Sequence, residues 1–259
     1  YAVYHGSEGL VRIAQRVNHL TNQLASSLID SGYEIKCDRF FDTICFKASG
    51  WKEKSEAMKL NFRDFGDGFV GISLDETTTE SDIENILDVF NAKLNLDHSK
   101  SIPDNLVRGS RFLSNSVFTK HRSETEMLRY MHKLELKDLS LNTSMIPLGS
   151  CTMKLNATTE MKPVTWPEFS NVHPFAPTNQ VGGYHTLINE LGDRLIQLTG
   201  FDAISMQPNS GAQGEYAGLM TIRAFHKANN QQERDICLIP SSAHGTNPVS
   251  YTHLTLPTT

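Results

Sequence analysis

A polar, glycine-containing turn between two patterned runs is the feature that most constrains this chain. Residues 203–206 are mostly apolar and predict a buried strand, and residues 212–226 have the spacing of an amphipathic helix. Between them, residues 207–215 read QPNSGAQGE, and their small side chains allow a ligand to approach the backbone. The first amides of a helix lack intrahelical acceptors, so this turn suits a phosphate. A simple connection between strand and helix would give the same pattern.

A second apolar run, at residues 235–239, predicts a strand that completes a βαβ unit with the first. Ligands of open parallel sheets bind at the carboxyl ends of the strands. The polar segments 207–215 and 240–248 follow the two predicted strands, so we expect both at that edge. His244 lies in the second segment. It is a candidate to lie over a flat cofactor ring, although a lone loop histidine is more often structural.

The first 96 residues predict a small α+β unit. Apolar residues at helical spacing predict a helix from Ser7, as its N-cap, to Ile29, with Gly32 as the stop. Strands are predicted at residues 41–46, 58–63 and 70–74, the last two forming a hairpin. A second helix follows, capped by Thr79 or Ser81.

A connector follows this unit. Residues 97–122 are polar and irregular, and a capping box that begins at Ser123 predicts that a helix resumes there. Residues 142–183 are loop-rich, but they contain too many large apolar side chains for a disordered segment. Another amphipathic helix is predicted over 187–198 and stops at Gly200.

Composition argues against several classes of protein. The 259 residues are 39% hydrophobic and 20% charged with a net charge of −5, which is typical of soluble globular proteins and lacks the basic excess of nucleic-acid binders. No apolar run approaches the length of a membrane span, and the first residues do not resemble a targeting peptide. The four cysteines have no metal-ligand spacing, so we expect neither a metal site nor a disulfide framework.

Several segments together go beyond generic chemistry. They are residues 1–10 (YAVYHGSEGL), 145–156 (MIPLGSCTMKLN), 173–177 (HPFAP), 207–215 (QPNSGAQGE) and 241–248 (SSAHGTNP). In this order and spacing they resemble the glycine cleavage system P protein, a pyridoxal-phosphate-dependent glycine decarboxylase (glycine dehydrogenase). The likeness covers roughly residues 1–250, and the loop motifs are too long for chance matches. A generic nucleotide-binding α/β domain fits less well, because the chain lacks a G-x-G-x-x-G pattern.

The resemblance implies an α/β protein of the fold-type-I class of pyridoxal-phosphate transferases, built from two similar halves. It assigns 1–96 to the α+β small domain that ends the first half, 97–141 to a connector, and 142–250 to the start of the second half's large domain. Residues 251–259 match nothing in the family and are interpreted as an artefact. With an opening residue, Tyr1, that is not methionine, this tail leads us to expect an internal fragment.

The same resemblance implies the site. The cofactor phosphate would be held by Asn209, Ser210, Gly211, Ala212 and Gln213. His244 would stack on the cofactor ring as the catalytic contact, Thr246 would line the same pocket, and the glycine end would be lined by Ser150, Cys151 and Thr152, unless that loop only packs between the halves. Lys154 is not expected to attach the cofactor, because the family's Schiff-base lysine follows a histidine beyond the end of this chain.

By resemblance, the parent protein decarboxylates glycine and passes the aminomethyl group to the lipoyl arm of H protein. It would act as a homodimer, in the mitochondrial matrix if the source is eukaryotic and in the cytoplasm if it is bacterial. We expect this chain alone to be inactive, since the attachment lysine is missing from it. The alternative is a truncated, non-catalytic product that only binds P-protein chains or H protein.

Overall fold

The structure is a computed structural model that describes residues 1–97, 100–137, 157–243 and 245. Its backbone contacts divide the chain into two units, Tyr1–Asp138 and Leu139–Thr259. The division falls inside the connector predicted at 97–141, and the other predicted domain boundaries stay predictions. The two units are described separately.

The first unit is a three-stranded sheet with helices packed around it. Its elements in chain order are α1 (Ala2–Asp30), β1 (Thr43–Lys47), α2 (Lys52–Ala57), β2 (Arg63–Asp64), β3 (Phe69–Ser73), α3 (Glu80–Val89), a 3-10 turn (Asp104–Leu106), α4 (Val117–Lys120) and α5 (Glu124–Glu135). The sequence analysis therefore placed the long first helix, the first strand, the hairpin strand β3 and the helices α3 and α5 correctly.

The sheet has the order β1-β3-β2, and both pairs are antiparallel. Phe46 of β1 lies opposite Val70 of β3, and the chain turns between β2 and β3 at Gly66 and Gly68. These two glycines have φ of 81° and 86°, a backbone region that glycine adopts without steric cost. A hairpin therefore forms at the predicted turn, although its first strand is Arg63–Asp64 and not the predicted 58–63.

The hydrophobic core lies between α1, α3 and one face of the sheet. Alternate residues of β3 point into it, so Val70 and Ile72 are buried while Ser73 is exposed. The largest fully buried apolar side chains come from these three layers and are Leu20, Leu24, Leu28, Ile44, Phe46, Ile83 and Leu87. The spacing of α1 and the alternation of β3 are therefore both explained by burial against a single core.

Aromatic rings fill the centre of this core. The Phe46 ring lies 5.0 Å from that of Phe90 and 5.4 Å from that of Tyr33, both in edge-to-face geometry. The Tyr33 hydroxyl donates a hydrogen bond of 3.0 Å to the Phe90 carbonyl, so its polar end is satisfied. Phe46 thus joins β1, the end of α3 and the loop after α1.

Replacing Phe46, which is fully buried, should therefore destabilise the first unit strongly. We expect Phe46→Ala to lower the free energy of unfolding by about 3–5 kcal/mol, because the ring is lost and a cavity remains. Phe41→Ala is the matched control, since Phe41 is 43% exposed, and it should change stability by less than about 0.5 kcal/mol. Urea unfolding followed by circular dichroism measures both, and equal effects would contradict this description of the core.

The strand predicted at 58–63 is wrong. The helix α2 ends just before this segment, at Ala57, Lys59 adopts a positive φ of 59°, and only Arg63–Asp64 pair with β3. Met58, Leu60 and Phe62 nevertheless pack against the core as partly buried side chains. The alternation of the sequence therefore correctly predicted which side chains face inward, but a loop achieves this without the hydrogen bonds of a strand.

The predicted start of α1 at Ser7 coincides with a break in the helix. Residues on both sides of Gly6 are helical, but Gly6 itself has a non-helical φ of 61° and ψ of −177°, so a short helical turn after Tyr1 precedes the predicted helix and is separated from it by a kink. Gly6 also lies against α4, where an added Cβ would stand 2.6 Å from the Phe118 carbonyl oxygen and would clash with the Arg122 guanidinium. Glycine at this position therefore allows both the kink and the close approach of α4 to α1.

Two helix starts in this unit agree with the predicted caps. The Thr79 hydroxyl accepts from the Asp82 amide at 3.2 Å, and the Asp82 carboxylate accepts from the Thr79 amide at 2.8 Å. The Ser123 hydroxyl accepts from the Glu126 amide at 3.2 Å at the start of α5. Both are local signals that need no tertiary context to operate.

The described part of the second unit is helical. Its elements are α6 (Thr158–Met161), a 3-10 turn (Lys162–Thr165), α7 (Pro167–Ser170), a 3-10 turn (Thr178–Gln180), α8 (Gly182–Thr199) and α9 (Gly211–Ala228). The stop predicted at Gly200 is confirmed, since this residue has a left-handed φ of 73° at the C-cap of α8.

The strands predicted at 203–206 and 235–239 do not form, and neither does the βαβ unit. Both runs lie in described segments that contain no strand, and Ile236 and Leu238 are 84% and 92% exposed. A parallel strand requires a neighbouring strand for its hydrogen bonds, and neither run has one among the described residues. Both runs are apolar, as the sequence indicates, but an apolar run forms a strand only where a neighbouring strand is present to pair with it.

Candidate functional site

The polar turn 207–215 leads directly into α9, as the sequence predicts. Ser210 is the N-cap of this 18-residue helix, with an extended backbone, and its hydroxyl accepts a 3.2 Å hydrogen bond from the Gln213 amide. Serine is among the residues that cap helices best because its oxygen replaces a missing backbone acceptor. The five predicted phosphate-site residues, 209–213, are therefore brought together in the first turn of α9.

Two of these residues shape the turn rather than leaving their amides open. The Gln213 side-chain oxygen accepts a 2.8 Å hydrogen bond from the Asn209 amide, and the Gln213 backbone amide donates to the Ser210 hydroxyl. Together the two hydrogen bonds close the turn across the start of the helix. The amides of Asn209 and Gln213 are thus already satisfied by protein acceptors.

The amides of Gly211 and Ala212 are in a different situation. They lie in the first helical turn, where no carbonyl of the helix can reach them, and no other acceptor for them occurs in the described segments. The first turn of α9 also contains no acidic residue that would oppose an anion at the positive end of the helix dipole. Two unpaired amides at the N-terminus of a long helix can bind an anion.

The space above these amides is open. A Cβ built on Gly211 would meet no atom within 4 Å, whereas one built on Gly214 would just touch Pro208 at 4.0 Å. The surrounding protein therefore does not require glycine at position 211. If glycine is needed there, the requirement comes from a ligand that approaches the backbone.

Glu215, in the second turn of α9, was not singled out from the sequence. One of its carboxylate oxygens is buried without a hydrogen-bond partner among the described residues, although buried polar atoms are normally paired. No sequence pattern indicates this burial, because an acidic residue near a helix start is ordinarily exposed and favourable there.

The remaining predicted site residues cannot be located. Ser150, Cys151, Thr152, His244 and Thr246 lie outside the described residues, as does Lys154. The structure therefore brings together the predicted phosphate-binding group alone. The predicted ring-stacking and glycine-binding groups stay predictions.

The loop 173–177, one of the segments that suggested the family, forms a local turn. The Phe175 amide donates to the ring of His173 at 3.0 Å, and the Ala176 amide donates to the His173 carbonyl at 2.9 Å. His173 therefore organises its own loop. Nothing in its surroundings marks it as a reactive group.

The described residues contain no group of three or more His, Cys, Asp or Glu side chains that could hold a metal ion. Among the same residues, no helix is both long enough and apolar enough to cross a membrane.

Comparison with known proteins defines the family. Residues 1–90 match the family model of the glycine cleavage system P-protein. A relative from Enterobacter sp. (strain 638) is 52% identical over 96% of this chain, and one from Klebsiella pneumoniae (strain 342) is 51% identical over the same share. This chain belongs to the glycine cleavage system P-protein family. Both relatives, and a third from Salmonella newport (strain SL254), carry the name glycine dehydrogenase (decarboxylating).

The chain spans about 28% of the length of these relatives. The family model matches part of the first unit, where no reactive constellation was found, while the likeness to the relatives extends over 96% of the chain. All three relatives are bacterial, so the mitochondrial location predicted for a eukaryotic source gains no support from them.

The hydrogen bond from the Gln213 amide to Ser210 should control the stability of the first turn of α9. We expect Ser210→Ala to raise amide exchange in that turn by an amount equivalent to about 0.5–2 kcal/mol, because the cap acceptor is lost. Ser210→Asp is the matched variant, since it keeps an acceptor and should restore the protection. Hydrogen exchange measured by mass spectrometry tests both, and unchanged exchange in Ser210→Ala would show that Ser210 is not the cap.

Proposed function

We propose that this chain forms part of a pyridoxal-phosphate-dependent glycine decarboxylase and that the N-terminus of α9 binds the cofactor phosphate. The observation that carries the proposal is the pair of unpaired amides at Gly211 and Ala212, beneath open space at the start of an 18-residue helix. The names of the relatives support the reaction, and the turn supports the site.

The residues fit a phosphate group. Its oxygens only accept hydrogen bonds when it is fully ionised, and the Gly211 and Ala212 amides only donate. The helix dipole adds a partial positive charge at the same point. Ser210 and Gln213 hold the turn in place through the two hydrogen bonds already described, so the amides are positioned before the ligand arrives. Asn209 and Gln213 act here as positioning residues.

Pyridoxal phosphate, when bound, supplies an electron sink for the electron pair that is released when the carboxylate of glycine leaves as carbon dioxide. The chain's own residues would bind and orient it. The amides of Gly211 and Ala212 would anchor the phosphate, His244 would lie against the ring with Thr246 beside it, and the loop with Ser150, Cys151 and Thr152 would face glycine. Transfer of the aminomethyl group to the lipoyl arm of H protein, and a homodimeric parent, belong to the same proposal.

The complete protein, of the length of the relatives, would carry this activity. The 259 residues would contribute the phosphate end of the site and would not decarboxylate glycine alone. For a bacterial source such as those of the relatives, we propose that the enzyme acts in the cytoplasm.

A carboxylate placed beside the phosphate tests the proposal. In the complete protein we expect Gly211→Asp to bind pyridoxal phosphate at least tenfold more weakly, because lost charge-assisted hydrogen bonds cost roughly 1.5–3 kcal/mol and every 1.4 kcal/mol is about tenfold. A Cβ at position 211 meets no atom of the described residues within 4 Å, so the substitution should not disturb the turn sterically. The dissociation constant is measured by cofactor fluorescence or absorbance titration.

Gly218→Asp is the matched control, because Gly218 lies two turns further along α9 and a Cβ there also meets no atom within 4 Å. It adds the same side chain and charge to α9 but lies away from the amides, so cofactor affinity should be close to that of the unmodified protein. Unchanged cofactor affinity in Gly211→Asp would show that residues 207–215 only connect two segments and do not bind the phosphate. Absence of cofactor binding in the unmodified complete protein would favour the non-catalytic alternative.

A further inference from the structure

A groove in the first unit carries an excess of positive charge. It lies between the end of α4 and one face of α5, has a volume of about 590 Å³, and is lined by four cationic side chains, Lys120, Arg129, Lys133 and Lys137. Glu126 is the one acidic residue in its lining. We call this surface the basic groove. The chain as a whole has a net charge of −5, so the groove is a local reversal of the overall charge.

Within the described residues, the cations of the basic groove have no neutralising partner. Other charged groups close by are paired, since Arg122 lies 3.9 Å from Glu8 and His132 lies 3.1 Å from Glu135. The structure records no ion pair between the four cations and any residue of the described segments. Arg129 and Lys133 are four residues apart on α5, a spacing at which like charges destabilise a helix. The arrangement therefore costs stability unless an anion offsets it.

The groove is preorganised by its surroundings. The His121 ring stacks on the Tyr130 ring with centroids 4.2 Å apart and planes 14° apart, which links the end of α4 to α5. The Arg122 guanidinium donates to the Phe118 carbonyl at 3.2 Å, and α4 packs on α1 where Gly6 permits the close approach. These contacts fix the backbone that carries the four cations, while the cationic side chains themselves are exposed.

The spacing of the charges favours an extended ligand over a single small anion. Arg129 and Lys133 are four residues apart on α5, which is about 6 Å at the helical rise of 1.5 Å per residue, and Lys137 follows two residues after the end of the helix. The separation of Arg129 and Lys133 alone equals about two residues of extended peptide. The Arg129 guanidinium can also bind a carboxylate through two parallel hydrogen bonds.

Single-stranded nucleic acid fits the groove less well. Its binding usually combines basic residues with exposed aromatic faces on which bases stack. Here Tyr130 is half-buried and one face of its ring is already occupied by His121. The groove therefore offers charge without a stacking surface.

We propose that the basic groove is a docking surface for a carboxylate-rich segment of a partner protein. Charge complementarity would supply the specificity and would speed association, while the affinity of such exposed contacts stays modest and salt-dependent. This inference does not depend on the cofactor site at α9, which lies in the other unit.

The test is a fluorescence-anisotropy titration of the full 259-residue chain with a short, fluorescein-labelled oligoglutamate peptide. Arg129→Glu/Lys133→Glu should weaken binding roughly tenfold, because two attractions become repulsions. Glu126→Gln should strengthen it roughly twofold, since it removes the one opposing charge. Raising the salt from about 0.02 M to about 0.3 M should weaken binding of the unmodified chain.

Lys93→Glu is the matched control, because Lys93 is exposed, lies outside the groove and has no recorded ion pair. It should leave peptide affinity unchanged within about twofold. Thermal unfolding of each variant separates loss of binding from loss of folding. The proposal is overturned if Lys93→Glu weakens binding as much as the double variant, if Glu126→Gln does not strengthen it, or if an oligothymidine of equal charge binds more tightly than the peptide.

Discussion

Backbone amides and carbonyls need hydrogen-bond partners, and the two units of the chain differ in how far this requirement is met. In the first unit, β1, β3 and β2 satisfy one another in an antiparallel sheet, and the apolar face of that sheet is covered by α1 and α3. In the second, the apolar runs at 203–206 and 235–239 have no neighbouring strand in the described segments and remain irregular. The same requirement leaves the amides of Gly211 and Ala212 open at the start of α9. The candidate site thus arises because the first amides of a helix lack acceptors within the helix. The sequence adds the Ser210 cap and small residues at the same point.

Local signals in the sequence predicted local structure well. Thr79 and Ser123 cap the helices that they were expected to cap, and Gly200 ends α8 in the left-handed conformation. Each signal works through one or two hydrogen bonds or one φ angle, so it can be recognised without knowledge of the rest of the fold. The start of α9 at Ser210 belongs to this group, which is why the centre of the candidate site could be predicted.

Features that depend on distant partners were predicted less well. Met58, Leu60 and Phe62 alternate as a strand does, yet α2 and a positive φ at Lys59 bring them to the core as a loop. The buried oxygen of Glu215 and the close approach of Gly6 to Arg122 arise only when separate segments pack together. The sequence also could not reveal that the Gln213 side-chain oxygen accepts a hydrogen bond from the Asn209 amide. In the proposed site, Gln213 is therefore a positioning residue and not the phosphate ligand that was predicted.

Titration of the isotopically labelled chain with pyridoxal phosphate, followed by amide chemical shifts, tests the central claim most directly. The account predicts that the largest shifts occur at the Gly211 and Ala212 amides, because these donors have no acceptor among the described residues. The Asn209 and Gln213 amides should move little, since they already donate to Gln213 and Ser210. Shifts concentrated at Asn209 and Gln213, or Gly211 and Ala212 amides that stay unmoved while others shift, would contradict the claim that α9 begins at the cofactor phosphate.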